Sequence, residues 1–436
     1  MQICLHPTYL IPIVPEHTCL HEHALVFEQQ SIVAILPSAQ ARQTYPHAQH
    51  IDLAQQVLMP GMVNLHGHSA MTLLRGLADD LALMDWLNNH IWPAEKAHVS
   101  DQFVYEGSLI AMAEMLAGGT TTINDMYFHH DAVARAGLQS GMRTVVGCSI
   151  LEFPTGYGNN AADYIAHALR VRDQFQGEAL LQFRLAPHAP YTVADDTFKR
   201  IVALRDQHDW SLHCHIHESQ DELNGSVEQY GMRPLQRLDQ LGVLDSRLIA
   251  AHMVHVNAEE IDLLAKRGVH IAHNPASNLK LASGFAPVQA MRDAGVNIGL
   301  GTDGAASNNQ LDMLGDMRLA ALLAKAVANQ ATALTAHQAL YMATMAGAKA
   351  LGLGDQIGSL EVGKQADMIS IDLSGLSARP LYDAASQVVY ASNRQQVSNT
   401  WVAGRLLLKE SQLCSLNYDE LLDKANWWQA TIQSGR

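Results

Sequence analysis

The sequence is short of cysteine, of basic runs and of long apolar segments. Its 436 residues include five cysteines, at positions 4, 19, 148, 214 and 414, and no spacing between them repeats. An odd, scattered set does not indicate a disulfide framework, so we expect a reduced, cytoplasmic protein. The first residues lack the features of a signal peptide, and no run of about 18 apolar residues predicts a membrane span.

Clustered positive charge is also absent. Lys and Arg number 28 against 43 Asp and Glu, which gives a formal net charge of −15. Proteins that bind nucleic acid usually carry clustered Lys and Arg residues. We therefore expect no nucleic-acid partner, no membrane partner and a small-molecule ligand instead. No interface signature is visible in the sequence, which leaves open whether the protein forms a homo-oligomer.

The middle of the chain alternates apolar strands with stretches of helical periodicity. The predicted strands are residues 62–66, 120–125, 143–150, 181–186, 211–217, 248–252, 270–273 and 297–300. Eight such units predict an α/β fold of the (β/α)₈ TIM-barrel type, with a doubly wound open sheet as the alternative.

Both ends of the chain are typical of short strands and turns, at residues 23–27 and 31–35 and again within 358–371, 388–390 and 400–408. Neither end is large enough to fold well alone. We therefore predict that residues 1–57 and 358–436 combine into a small flanking β-sandwich with a C-terminal helix near 418–432. Residues 58–357 would form the catalytic barrel.

Histidine is abundant, with 23 copies, and several lie at the ends of predicted strands, where barrel enzymes carry their active sites. His66 and His68 are two residues apart and so lie on one side of the first barrel strand. His213, His215 and His217 alternate in the same way on the fifth. They cannot all reach one metal, since a strand advances ~3.3 Å per residue. The first pair alone could equally be two unrelated polar residues at a strand exit, and for two of the three histidines on the fifth strand a structural role or contacts with the metal ligands are the alternative.

Later strands end in the same residue types. His252 ends the sixth strand, His273 ends the seventh and Asp303 follows the eighth, although a carboxylate there could also cap a helix. Imidazoles with one carboxylate suit a divalent metal, Zn²⁺ above all, with a position open for water. Metal-bound water ionises near neutral pH, and Glu218 is placed to move protons beside it.

Several motifs together resemble the amidohydrolase superfamily, and most closely its 5′-methylthioadenosine/S-adenosylhomocysteine deaminases. They are PGMVNLHGHSAMTLLRG, the HxxE pattern of residues 215–218, AAHMVH, HNPASNLKLASGFAPV and GTDGAASNN. The resemblance runs from about residue 58 to 363. It implies a (β/α)₈ barrel with a flanking β domain, and hydrolytic deamination at C6 of an adenine ring.

The resemblance also implies one metal, held by His66, His68, His215 and Asp303. Binuclear relatives carry a carboxylated lysine on the fourth strand. Residues 183–188 of this chain contain no lysine, which favours a single metal.

Catalytic roles follow from the same resemblance. Asp303 would take a proton from the attacking water, and Glu218 would protonate ring nitrogen N1. His252 would orient the attacking oxygen.

Four substrate contacts are implied as well. Glu95 would bind the ribose hydroxyls, His188 would contact the ribose or 5′ side, Trp86 would form a wall against the base, and Ser307 would border the site. A solvated helix position for Glu95 and core packing for Trp86 are the ordinary alternatives.

One stretch departs from relatives that accept S-adenosylhomocysteine. Those proteins place arginines near the end of the third strand, whereas residues 146–155 contain no arginine and one glutamate. Our hypothesis is a preference for the small, neutral methylthio substituent, since no cation would meet an amino-acid carboxylate there.

Two alternative functions remain at this stage. Another ring hydrolase of the superfamily, acting on a guanine-, cytosine- or triazine-type substrate, would keep the metal site without needing Glu95 and His188. A barrel that has lost catalysis and serves as a scaffold is the other, but all four implied ligands and Glu218 are present.

Overall fold

The computed structural model describes residues 1–435, which form two sheets. The N-terminal part of the first sheet consists of β1 (Gln2–Leu10), β2 (Leu20–His21), β3 (His23–Glu28), β4 (Ser31–Pro37) and β5 (Gln49–Pro60), with helix α1 (Ser38–Thr44) between the last two. Strands β1 and β5 were not predicted. In residues 49–56 of β5 polar and apolar side chains do not alternate regularly and only Leu53 is buried, so its composition alone does not indicate a strand.

The second sheet is the predicted barrel. Its strands are β6 (Met62–Gly67), β7 (Thr120–Tyr127), β8 (Arg143–Ile150), β9 (Leu181–Pro187), β10 (Leu212–Ile216), β11 (Leu248–His252), β12 (His270–His273) and β13 (Asn297–Leu300). They pair in parallel in chain order. All residues of β7 and β8 are buried, as expected for parallel strands covered on both faces.

The two outer strands of this series meet and complete the barrel. The Asp303 N–H donates to the His66 carbonyl at 3.0 Å, directly beyond the end of β13. A Cβ on Gly301 would lie 2.9 Å from both the backbone nitrogen and the Cβ of His66, so this close approach requires glycine. The prediction of a closed (β/α)₈ barrel is confirmed.

Helices surround the barrel and follow its strands. They are α2 (Leu83–Trp86), α3 (Trp92–His98), α4 (Asp101–Ala117), α5 (His130–Ser140), α6 (Ala161–Gln174), α7 (Asp195–His208), α8 (Gln220–Tyr230), α9 (Pro234–Gln240), α10 (Ala258–Arg267), α11 (Pro275–Lys280), α12 (Val288–Asp293), α13 (Ala305–Asn308), α14 (Met313–Ala328), α15 (Ala336–Tyr341) and α16 (Gly347–Ala350). Single π-type turns lie at Leu87–Ile91 and Met342–Ala346, and short 3₁₀ helices at Ser69–Leu74, Leu376–Ala378 and Arg394–Gln396. Within residues 1–435, no helix is long and apolar enough to cross a membrane.

The C-terminal part returns to the first sheet through β14 (Met368–Asp372), β15 (Val397–Val402), β16 (Arg405–Lys409) and β17 (Gln412–Leu413), with α17 (Ala384–Tyr390) and α18 (Tyr418–Gln433). β14 pairs with β5, so both chain ends share one mixed sheet of nine strands. We propose the division into residues 1–57 with 358–436 and residues 58–357, although β5 itself continues to Pro60.

One predicted element is wrong. Residues 388–390 were predicted as a strand, but they are the last turn of α17. Asp383 caps this helix, because its side chain accepts a hydrogen bond from the Ser386 N–H at 2.6 Å. The buried positions 384, 385, 388 and 389 lie on one helical face. Ala384 and Ala385 extend the apolar run of residues 388–390 at helical spacing, which favours a helix over a strand.

A buried ion pair joins the barrel to the terminal sheet. The guanidinium of Arg143, at the start of β8, contacts both carboxylate oxygens of Asp367 at 3.1 Å, next to β14. The side chains are 3% and 1% exposed, so neither charge has water as an alternative partner. This contact holds the bottom of the barrel against the sheet formed by the two chain ends.

Candidate active site

Histidine and aspartate side chains converge at the carboxyl ends of β6, β10, β11 and β13. One ligand atom from each of His66, His215, His252 and Asp303 lies within 4.8 Å of the others, and all four residues are buried. His68 belongs to the same cluster, since its Nε2 is 3.2 Å from His215 Nε2 and 3.1 Å from Asp303 Oδ1. The fold thus brings together all four predicted metal ligands.

The spacing of these atoms fits a tetrahedral metal ion. His66 Nε2 lies 3.2 Å from Asp303 Oδ1, and it is a buried nitrogen without a hydrogen-bond partner. Ligand atoms at ~2.0–2.2 Å from a tetrahedral zinc stand roughly 3.3 Å apart. Burial lowers the pKa of His66 to about 4, so its ring is neutral and offers a lone pair. The donor set fits a single Zn²⁺.

Backbone carbonyls orient two of the imidazoles. His68 Nδ1 donates to the Met126 carbonyl at 2.6 Å, and His215 Nδ1 donates to the His188 carbonyl at 2.7 Å. With Nδ1 occupied in this way, Nε2 of each ring faces the cluster. His66 instead contacts another imidazole, with its Nδ1 at 2.9 Å from His213 Nε2. His213 therefore lies beneath the cluster rather than in it.

The carboxylate of Asp303 is held on both oxygens. Oδ2 accepts hydrogen bonds from the hydroxyls of Ser277, at 2.7 Å, and Ser307, at 2.8 Å. Oδ1 accepts from the Gly304 N–H at 2.8 Å and faces the imidazoles. Although burial opposes it, the adjacent His66 and His68 imidazoles hold the pKa of Asp303 well below its usual value, so it is a carboxylate.

Glu218 and His252 lie beside this cluster. Glu218 Oε2 is 3.8 Å from His252 Nε2, and the other ring nitrogen of His252 is 2.8 Å from Asn278 Oδ1. A donor on that nitrogen would bind the amide oxygen and leave Nε2 facing Glu218. Burial raises the pKa of Glu218, which favours a carboxyl group that carries a proton.

Left-handed backbone marks three of the strand ends. His217, His252 and Asp303 have φ of +56°, +74° and +63°. Non-glycine residues rarely adopt this conformation, and it concentrates at functional sites. The side chains of His252 and Asp303 face the cavity at the mouth of the barrel, and His217 directly precedes Glu218, which also lines it.

A cavity of about 630 Å³ opens above the cluster and reaches Glu218, His252 and Asp303. The four predicted substrate contacts also line it: Trp86, Glu95, His188 and Ser307. Every site residue predicted from the sequence therefore borders one cavity or the cluster at its base. Their individual roles remain predictions.

One wall of this cavity is apolar and is formed by Phe128, Leu151, Phe153 and Pro154. The cavity lining also includes the basic side chain of Lys96, which is exposed on α3. Among the residues that the structure describes, no arginine lines the cavity. The stretch that lacked arginine in the sequence thus forms part of this wall.

Sequence reasoning missed residues that support the predicted ones. Ser277 and Asn278 are consecutive on α11 and contact Asp303 and His252. Both belong to the HNPASNLK motif, which contributes to the family resemblance but gave neither residue a role. Tyr127 was missed as well, and its hydroxyl donates to Glu95 Oε1 at 2.6 Å.

Comparisons with known proteins agree with this geometry. The Amidohydrolase family model matches residues 57–407. A 5-methylthioadenosine/S-adenosylhomocysteine deaminase of Teredinibacter turnerae is 44% identical over 432 residues, covering 99% of this chain and 98% of the relative. A 5′-deoxyadenosine deaminase of Methanobrevibacter smithii is 39% identical over 378 residues, 86% of each protein.

Solved structures give the same result. An adenosine deaminase from Xanthomonas campestris with bound zinc superposes with a TM-score of 0.96 at 47% identity, covering 99% of this chain and 98% of that one. A zinc complex of atrazine chlorohydrolase from Arthrobacter aurescens shares the fold, with a TM-score of 0.91 at 24% identity over 98% and 100% of the chains. The chain belongs to the amidohydrolase family and, within it, to the 5-methylthioadenosine/S-adenosylhomocysteine deaminases.

Proposed function

We propose that the protein hydrolyses the 6-amino group of 5′-methylthioadenosine and related 5′-modified adenosines, releasing ammonia. The observation that carries this proposal is a single cavity that has the cluster of metal-ligand side chains at its base and the Glu95 carboxylate on its side. A metal ion held by the cluster can activate water to hydrolyse a ring amine. The Glu95 carboxylate can accept hydrogen bonds from a vicinal diol. The names of the relatives at 39–44% identity support the same substrate class.

His66, His68, His215 and Asp303 would hold the zinc ion. A bound zinc ion lowers the pKa of a coordinated water from 15.7 to about 7. The buried, neutral imidazoles of His66 and His215 and the ionised Asp303 match what Zn²⁺ requires of its ligands. Although burial favours the neutral form of His68, Asp303 raises the pKa of His68 to about 9, so this ring would release a proton on binding the metal.

The side chains around the cluster divide the proton transfers. Asp303 accepts a proton from the attacking water as its oxygen bonds to C6. Glu218 donates its proton to N1, so the ring at C6 becomes tetrahedral without a buildup of negative charge. His252 hydrogen-bonds to the new oxygen through Nε2. The proton held by Asp303 then passes to the amino group and the C–N bond breaks. Ammonia leaves, and Glu218 takes the proton of the C6 hydroxyl as the C6 carbonyl forms, which restores its protonated state.

The cavity wall selects the nucleoside. Trp86 packs against the base, and Glu95 accepts from the 2′ and 3′ hydroxyls with Tyr127 holding its carboxylate in place. His188 contacts the ribose side, and Ser307 borders the base near Asp303. A free base would lack the contacts with Glu95 and His188.

The 5′ substituent lies against the apolar wall around Phe128 and Phe153. A methylthio group buries apolar surface there at little desolvation cost. The charged end of S-adenosylhomocysteine would lose its contacts with water and would find no arginine to pair with. We therefore propose a preference for small, neutral 5′ substituents. Lys96 lies at the mouth, where it is exposed.

A substrate panel tests both levels of the proposal. Zinc-loaded protein is mixed with 5′-methylthioadenosine, S-adenosylhomocysteine, 5′-deoxyadenosine, adenosine, adenine and guanine, and deamination is followed by its ultraviolet change and by ammonia. We expect the highest kcat/KM for 5′-methylthioadenosine. Turnover of guanine or free adenine alone would contradict the nucleoside function, and equal use of S-adenosylhomocysteine would contradict the 5′ preference only.

A further inference from the structure

The backbone turn that presents Glu218 needs an external support. The chain leaves β10 at Ile216 and passes through His217, whose φ of +56° is a strained conformation for a residue with a side chain. Glu218 follows at once. Any relaxation of His217 toward ordinary backbone angles would move the Glu218 carboxyl group away from its present position.

Hydrogen bonds of the Glu218 side chain do not supply that support. Glu218 is buried, and it lines the substrate cavity of about 630 Å³ and also a second cavity of about 240 Å³ that extends along α8. Among the described residues its carboxyl oxygens accept no hydrogen bond, and His252 Nε2 lies 3.8 Å away. The direction of the Glu218 side chain therefore depends on the backbone that carries it.

The backbone carbonyl and the ring Nε2 of His217 contact other parts of the chain. Its carbonyl accepts from the N–H groups of Val254, at 3.0 Å, and His255, at 3.2 Å, and its ring Nε2 accepts from the Leu235 N–H at 3.2 Å. The N–H groups of His217 and Glu218 remain, and both donate to one side chain. Glu222 Oε1 accepts from His217 at 3.0 Å and Oε2 accepts from Glu218 at 2.9 Å.

Glu222 is itself well fixed. It lies in the first turn of α8, is 7% exposed, and its own N–H donates to Ser219 Oγ at 3.2 Å. Burial raises the pKa of Glu222 to about 7, so the carboxylate form predominates above that pH. A carboxylate that accepts from two successive backbone N–H groups stabilises a turn at both points, and these charge-assisted bonds are stronger than neutral ones.

We propose that Glu222 is a positioning residue that holds the His217–Glu218 turn and so aims the Glu218 carboxyl group at the ring nitrogen of the substrate. Glu222 acts through the backbone of Glu218 and does not itself touch substrate. The inference rests on the proposed function, because Glu218 is the proton donor of that reaction.

The variant E222Q removes half of this support. A glutamine has one acceptor oxygen and a donor NH₂ group, so it can accept from only one of the two N–H groups and opposes the other. We expect kcat for 5′-methylthioadenosine to fall about 10- to 100-fold, the range for losing a hydrogen bond to a charged group. KM and zinc content should stay within about twofold of the unmodified protein.

Asp221 provides a matched control. It lies in the same first turn of α8, is exposed, and has no side-chain hydrogen bond among the described residues. D221N removes the same charge one residue away, and we expect its kcat to stay within about twofold of the unmodified protein. An equal fall in D221N and E222Q would mean that charge near the site matters, rather than the two backbone contacts, and would overturn the proposal.

A double-mutant cycle separates positioning from a general structural role. If Glu222 acts through Glu218, E222Q should lower kcat strongly in the unmodified protein and by less than about twofold when E218Q is already present. Equal losses in both backgrounds would overturn the proposal, as would loss of zinc from E222Q. Should E222Q not fold, E222D replaces it, since it keeps the charge but is one methylene too short for both contacts. An unmodified protein that deaminates no adenosine would instead contradict the proposed function.

Discussion

The two serines on Asp303 allow the strength of its support to be measured. Ser277 and Ser307 donate to the same oxygen, Oδ2, at 2.7 and 2.8 Å, while Oδ1 faces the imidazoles. A hydrogen bond to a charged group contributes about 1.5–3 kcal/mol, and 1.36 kcal/mol corresponds to about tenfold in rate. In S277A the hydroxyl of Ser307 remains, so we expect the lower end of that range, about a tenfold fall in kcat.

Removing both hydroxyls leaves Oδ2 buried without either partner. The combined loss of about 3–6 kcal/mol predicts a fall of about 10²- to 10⁴-fold for S277A/S307A. Steady-state kinetics with 5′-methylthioadenosine and metal analysis of each purified variant supply the numbers. The reasoning is refuted if the double variant is no slower than S277A, because Oδ2 would then need neither serine. If the double variant loses zinc while each single variant keeps it, the role of Ser277 and Ser307 is to retain the metal rather than to support proton transfer.

Three further predictions concern other contacts. E218Q should keep its zinc and lose about 10²- to 10⁴-fold in kcat, measured with metal-loaded protein, because a positioned proton donor is removed; zinc loss would make Glu218 a ligand. D367A should lower the free energy of unfolding by about 3–5 kcal/mol in denaturant titration, because Arg143 is left buried and unpaired; an unchanged midpoint would contradict this. Y127F should raise KM for 5′-methylthioadenosine more than it lowers kcat, since Glu95 loses a hydrogen bond; equal effects on a substrate without ribose hydroxyls would rule out this role.

The barrel and the cluster could be predicted because their signals are local. Each barrel strand is a short, largely apolar run with polar residues near or just beyond its carboxyl end, and the sheet places those ends at one mouth. His66, His215 and Asp303 are far apart in sequence, yet each lies at the carboxyl end of its own strand or just beyond it, so the topology brings them together. The same reasoning identifies Glu218 from its distance to the end of β10.

Residues that support other site residues are harder to identify from the sequence. Glu222 is one of two acidic residues in the first turn of α8, where acidic residues are common for helix stability alone. Its two contacts depend on the left-handed angle of His217, which composition does not indicate. Ser277 and Asn278 likewise follow from how α11 lies across the barrel mouth, and residues 388–390 show that three apolar residues do not distinguish a strand from a helical turn.

Metal dependence is the central claim, and one measurement tests it most directly. The purified protein is analysed for metal, stripped with a chelator, assayed with 5′-methylthioadenosine, and assayed again after stepwise addition of Zn²⁺. We predict loss of ammonia release on stripping and full recovery at one zinc per chain, with H66A failing to recover. Undiminished deamination by the stripped protein, or recovery that requires two zinc ions per chain, would contradict the account.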